Sequence, residues 1–102
     1  MCGIIGVSNF YKGYDIVTDG LKILKNRGKD YSAIKEIKKS KIIFGHNLHS
    51  IVDYVKQPFV SSKGMLVINC EIYNWKELNK KYGLGAKRIG SFLSEPLFLL
   101  LL

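Results

Sequence analysis

Met1-Cys2-Gly3-Ile4-Ile5-Gly6-Val7 opens the chain and carries most of its information. Cysteine at position 2 is small enough to permit removal of the initiator methionine. Cys2 would then bear both a thiol and a free α-amino group. That amine has a pKa of about 8, so a useful fraction is neutral at physiological pH. It can take the thiol proton, directly or through a water, and later return it to a leaving amine. One residue thus supplies nucleophile and base, the logic of an N-terminal nucleophile. The four residues that follow, Ile4 to Val7, form an apolar run between Gly3 and Ser8-Asn9 and read as a buried strand.

Moving outward, Tyr14 to Lys25 reads as a helix, with Val17, Leu21 and Leu24 spaced to share one face. Asn26 to Asp30 interrupts it at a turn centred on Gly28. Tyr31 to Lys38 and Ser40 to Gly45 read as strands, the second carrying the β-rich run Ile42-Ile43-Phe44. Ser50-Ile51-Val52 continues the strand signal. Gln57-Pro58 marks a loop. Ser61 to Gly64 has the character of a hairpin turn, leading into Met65 to Asn69 as a central strand. Trp75, Leu78 and Tyr82 define a short helix ending near Gly83. Leu84 to Ser91 reads as a loop, and Ser94 to Leu102 as an apolar helix capped by Ser94 with Pro96 in its first turn. Most strands lie too close together for crossover helices. The pattern predicts an α+β chain with mainly antiparallel sheets. The last residues sit inside an apolar run, so the fold is expected to be incomplete at the C-terminus.

Composition narrows the function. A chain of 102 residues with 47% hydrophobic and 24% charged residues reads as one small globular domain. No basic segment precedes an apolar stretch at the N-terminus, so no signal peptide is expected. The longest apolar run, Leu97 to Leu102, is far short of the roughly 20 residues that span a bilayer. Two cysteines form no disulfide framework, and the expected location is the reducing cytoplasm. The formal net charge is +8, and the stretch from Lys22 to Lys41 holds eight basic residues against two acids. This reads as a lysine-rich solvated surface. A nucleic-acid-binding module is the sharper alternative, but aromatic residues do not interleave with these lysines along the sequence.

Several ordered blocks resemble the class II glutamine amidotransferase domain of the asparagine synthetase family. Met1 to Gly6 is similar to the start of that domain. Gly20 to Asp30 resembles its helix and the following His-Arg-Gly-Pro-Asp turn. Phe44-Gly45-His46 with Ser50-Ile51-Val52-Asp53, and Gln57-Pro58-Phe59, look like its next segments. Val67-Ile68-Asn69-Cys70-Glu71-Ile72-Tyr73-Asn74 is similar to its Asn-Gly-Glu-Ile-Tyr-Asn block. The matches are collinear from Met1 to about Leu78. The resemblance implies an N-terminal-nucleophile α/β/β/α sandwich, of which residues 1–102 form a partial domain. It implies glutamine as substrate, no cofactor and no metal. It assigns Cys2 as the nucleophile and the Asn69 side chain with the Cys70 N–H as the oxyanion donors. Glu71 would hold the glutamine, with main-chain groups of Ile51 and Val52 lining its pocket. A separate ATP-dependent synthetase domain or chain would use the ammonia; neither a membrane nor nucleic acid is expected as a partner.

Three departures stand out. Leu48 occupies the place of the family's carboxylate-binding arginine, and an aliphatic side chain cannot reproduce that fork. Cys70 replaces a glycine, and Leu93 aligns with an aspartate that binds the substrate amine. His49 and Arg88 are the cations available to compensate. Leu48, Leu93 and the abrupt Leu-rich end favour a rival reading, a non-catalytic truncated remnant of the domain. Of the remaining candidates, His46 and His49 lack further ligands at metal-site spacing, so His46 is expected to be a hydrogen-bonded structural residue. Cys70 is expected to be a buried strand-end thiol, Arg27 and Asp30 to shape a turn, and Tyr73 and Trp75 to pack.

Overall fold

In the computed structural model, residues 2–50, 54–70 and 72–83 are described. Strand β1 (Gly3–Ser8) leads to helix α1 (Gly13–Ile23), which tightens into a 3-10 turn over Leu24–Arg27. Strand β2 (Tyr31–Ile37) turns through Lys38–Ser40 into β3 (Ile42–Leu48). A short hairpin follows, β4 (Phe59–Ser61) and β5 (Gly64–Leu66), and then helix α2 (Trp75–Tyr82). The first three strands form one antiparallel sheet in the order β1-β3-β2, and the hairpin forms a second antiparallel pair. The architecture is α+β with antiparallel sheets.

Alternation along β3 sorts the core into two sides. Ile43, Gly45 and Asn47 face α1. There Val17, Leu21 and Ile43 are buried, with Ile5, Val7 and Ile34 packed around them. Gly45 makes this approach possible. A Cβ at this position would lie 2.7 Å from Val17 Cγ1, 2.9 Å from Leu21 Cδ1 and 3.0 Å from Ile5 Cγ2. The buried Asn47 amide donates to the Leu21 carbonyl at 2.7 Å, and its Oδ1 accepts from the Ser32 hydroxyl at 2.7 Å, tying the helix to the sheet. Phe44, His46 and Leu48 project from the opposite side. Ile42 and Phe44 share a groove there with Val60 to Met65, so the β4–β5 hairpin lies on that face.

The expected helix, the first three strands and the Ser61–Gly64 turn all form, and α2 ends at Gly83 in the left-handed conformation (φ 59°). Several details differ. β1 is not buried throughout: Ile4 is 42% exposed, because this strand lies at one edge of the described sheet. β3 starts two residues later than expected, since Lys41 turns the chain in the left-handed region (φ 51°) and its carbonyl accepts the Asn9 N–H. Gly28 ends the 3-10 turn in an extended conformation. Its missing side chain serves close approach, as a Cβ would come 2.6 Å from the Asn47 carbonyl carbon. The expected strand Met65–Asn69 shrinks to Gly64–Leu66 because the Ile68 N–H is taken by Gln57 Oε1 at 2.8 Å instead of a neighbouring strand. The Ser50 N–H is donated to the Asp30 carboxylate. Tyr73, expected to pack, is exposed, whereas Trp75 is half-buried. The expected loop 84–91 and helix 94–102, and the strand residues Ile51 and Val52, lie outside the described residues.

Candidate active site

Cys2 precedes β1 directly and is almost fully buried. Its main-chain nitrogen donates to Asn69 Oδ1 at 3.3 Å, a contact between residues 67 positions apart. Two local features place Asn69 there. The Ser61 hydroxyl accepts from Lys63 N and Gly64 N and closes the β4–β5 turn. Buried Gln57 then fixes Ile68 through its main-chain N–H, one residue before Asn69. With Oδ1 engaged by the Cys2 nitrogen, the Nδ2 amide is the Asn69 group able to donate to a ligand.

A cleft of about 460 Å³ opens beside this contact, lined by Cys2, Gly3, Ile4, Leu24, Arg27 and Asn69. The 3-10 turn after α1 sets Leu24 and Arg27 three residues apart, where such a turn aligns side chains. Both pack close to Gly3: a Cβ there would meet Leu24 Cβ at 3.2 Å and Arg27 Cβ at 3.3 Å. The absence of a side chain at Gly3 thus lets the 3-10 turn pack closely against the start of β1. Asp30 organises the chain beyond the cleft. Its N–H donates to the Leu48 carbonyl at 3.0 Å and its carboxylate accepts from Ser50 N at 2.6 Å, anchoring the segment that leads to Ile51.

Of the residues singled out from sequence, Cys2 and Asn69 meet. Ile51, Val52 and Glu71 lie outside the described residues, as do Arg88 and Leu93. Leu48 is completely buried, so position 48 belongs to the core. His49 Nδ1 is 3.9 Å from the Asp30 carboxylate. Cys70 is exposed and lies beyond β5, not in a buried strand end, because the ladder stops at Leu66. Partial desolvation still pushes its thiol above the ordinary value, which disfavours the thiolate. His46 is fully buried, but neither ring nitrogen has a hydrogen-bond partner among the described residues, contrary to the hydrogen-bonded role expected of it. Its strand neighbours Ile4 and Ala33 offer no polar side chain. Burial lowers its pKa from 6.5 to about 4. Among the described residues no group of three or more His, Cys, Asp or Glu side chains converges as a metal site.

The family model for the glutamine amidotransferase domain matches residues 1–94. The chain belongs to that family. Comparison with curated proteins and with solved structures gave no match. Membership supports glutamine amidotransferase activity in general. Within this amidotransferase domain, two residues acquire importance that the sequence did not disclose. Arg27 reads locally as a turn residue, yet it lines the cleft. Gln57 reads as a loop residue beside a proline, yet it is buried and positions the Asn69 segment. A polar residue before proline carries no sign of burial; the Gln57 contact spans 11 residues and depends on the hairpin between them. No helix among the described residues is long and apolar enough to cross a membrane.

Proposed function

We propose that this domain hydrolyses glutamine in the manner of the N-terminal domain of glutamine-dependent asparagine synthetase, through a Cys2 thioester. The observation that carries this reading is the junction of the Cys2 nitrogen with Asn69 beside an open cleft. Once Met1 is removed, the Cys2 amine takes the thiol proton and the sulfur attacks the glutamine carboxamide carbon. The oxygen gains negative charge, which the Asn69 Nδ2 amide and the Cys70 N–H stabilise as donors. Collapse expels ammonia with the returned proton, and water converts the glutamyl thioester to glutamate. Glu71 and the main chain of Ile51 and Val52 bind the substrate in this scheme. A partner synthetase domain or chain, which activates the ammonia acceptor, completes it in the cytoplasm.

The glutamine α-carboxylate requires a cation. Leu48 is buried and aliphatic, and His49 faces Asp30, whereas Arg27 lines the cleft. Arg27 takes that role in this reading. Arg27→Ala is expected to raise KM for glutamine by about tenfold or more, the loss of one charge-assisted contact. The decisive experiment treats the purified protein with an electrophilic glutamine analogue and locates the adduct by mass spectrometry. Labelling of Cys2 in chains lacking Met1 is expected. Retained Met1, or a folded protein that takes no label, would refute hydrolysis. That outcome would favour the second reading, a non-catalytic remnant of the domain, which the aliphatic core residue Leu48 at the carboxylate-binding position supports.

A further inference from the structure

A second cleft, of about 330 Å³, lies on the other side of the 3-10 turn from the Cys2 site. One wall is a single face of α1 and its continuation. Thr18, Lys22 and Lys25 fall four and three residues apart and therefore stack along it. Lys29 enters from the following loop, and Tyr31 and Ser32 close the far side from β2. Leu21 and Ile34 provide an apolar floor, with Leu21 buried in the core. The floor's polar group, the Asn47 amide, is already satisfied at both ends.

The electrostatics of this cleft are one-sided. Three lysines line it and no carboxylate does. Lys22 reaches Asp19 at 3.0 Å, but both side chains are about 70% exposed, so that pair is weak and readily redirected. Lys25 and Lys29 have no ion-pair partner among the described residues. Like charges gathered at one concavity raise its potential and attract an anion, which relieves their mutual repulsion. The volume is at the lower limit for small-molecule sites and too small to seat a folded partner.

We propose that this cleft binds a phosphate-bearing small molecule, with Lys22, Lys25 and Lys29 around the phosphate and Leu21, Ile34 and Tyr31 against the remainder. Lysine ammonium groups serve a tetrahedral phosphate as compact charges with several donors each. The tertiary structure supplies what the linear order lacked: Tyr31 and an apolar floor stand beside lysines drawn from a helix, a turn and a loop. The site is separate from the Cys2 cleft, although both use the turn after α1, with Leu24 and Arg27 on one side and Lys25 on the other.

The test is calorimetric titration of the full chain with sodium pyrophosphate, at an ionic strength held constant with chloride. Saturable binding is expected. Replacing two cations with Lys25→Gln and Lys29→Gln should weaken it by about tenfold or more. Removing the same charge from exposed positions of α2, with Lys80→Gln and Lys81→Gln, should leave it unchanged. Lys25→Arg with Lys29→Arg should retain it, and circular dichroism establishes that each variant is folded. Absence of saturable binding, or equal weakening by both glutamine pairs, overturns the proposal in favour of a solvated basic surface. Preferential binding of a short single-stranded oligonucleotide, with steep salt dependence, overturns it in favour of a polyanion surface.

Discussion

His46 should make the stability of this domain depend on pH in a defined window. The ring is fully buried on β3, without a hydrogen-bond partner among the described residues and between two apolar cross-strand neighbours. The fold therefore holds it neutral, with a pKa lowered from 6.5 to about 4. The sign follows from proton uptake. Below pH 6.5 the unfolded chain gains a proton that the folded chain refuses, so acid favours unfolding. The loss begins near the unfolded pKa and is complete near the folded one. The gap between 6.5 and about 4, at about 1.36 kcal/mol per pH unit, amounts to about 3 kcal/mol. Small domains have only about 5–15 kcal/mol in total, so the effect is large. The assay is urea unfolding at pH 7.5, 5.5 and 4.5, compared with His46→Leu. Carboxylates also titrate on acidification, and the comparison removes their contribution. The wild type should lose between about 2 and 3 kcal/mol more than the variant from pH 7.5 to 4.5. His46→Leu should also be at least as stable at neutral pH, since it removes two unsatisfied polar atoms from the core. Parallel pH profiles for the two proteins would refute the argument. So would a strongly destabilised leucine variant, which would mean that the imidazole is making hydrogen bonds.

Other expectations concern the helix–sheet contact and the cleft. Gly45→Ala should destabilise by about 1–3 kcal/mol in denaturant titrations, because three side chains already occupy the space a methyl would need. Asn47→Ala removes both links between α1, β3 and β2 and should cost about 2–4 kcal/mol, with earlier hydrogen exchange at the end of α1. Asn69→Ala should lower kcat for glutamine hydrolysis by about a hundredfold or more while leaving the unfolding midpoint nearly unchanged, as expected for a donor used in the transition state.

Much of the domain is legible in the sequence because its signals are local. Val17 and Leu21 repeat at helical spacing and are buried where that spacing places them. The β-rich run Ile42-Ile43-Phe44 forms a strand, and Gly83 ends a helix, as backbone preferences dictate. Errors arose where a distant group competed for the backbone. Gln57 claims the Ile68 N–H, so the strand signal over Met65–Asn69 stops short. His46 misled because its type indicates a hydrogen bond, while its position on β3 faces a layer that supplies none among the described residues.

Cys2 after the initiator methionine, the α+β order of elements and the family-like blocks are properties of adjacent residues, and the sequence by itself determined them. The Cys2–Asn69 contact, the cleft shared with Arg27 and the gathering of Lys22, Lys25 and Lys29 are decisions of the tertiary structure. The first joins β1 to the segment after the β4–β5 hairpin, the second sets the 3-10 turn beside β1, and the third brings a loop lysine to the helical face of Lys22 and Lys25. Spacing along a chain constrains which residues share a face; only packing constrains which faces meet.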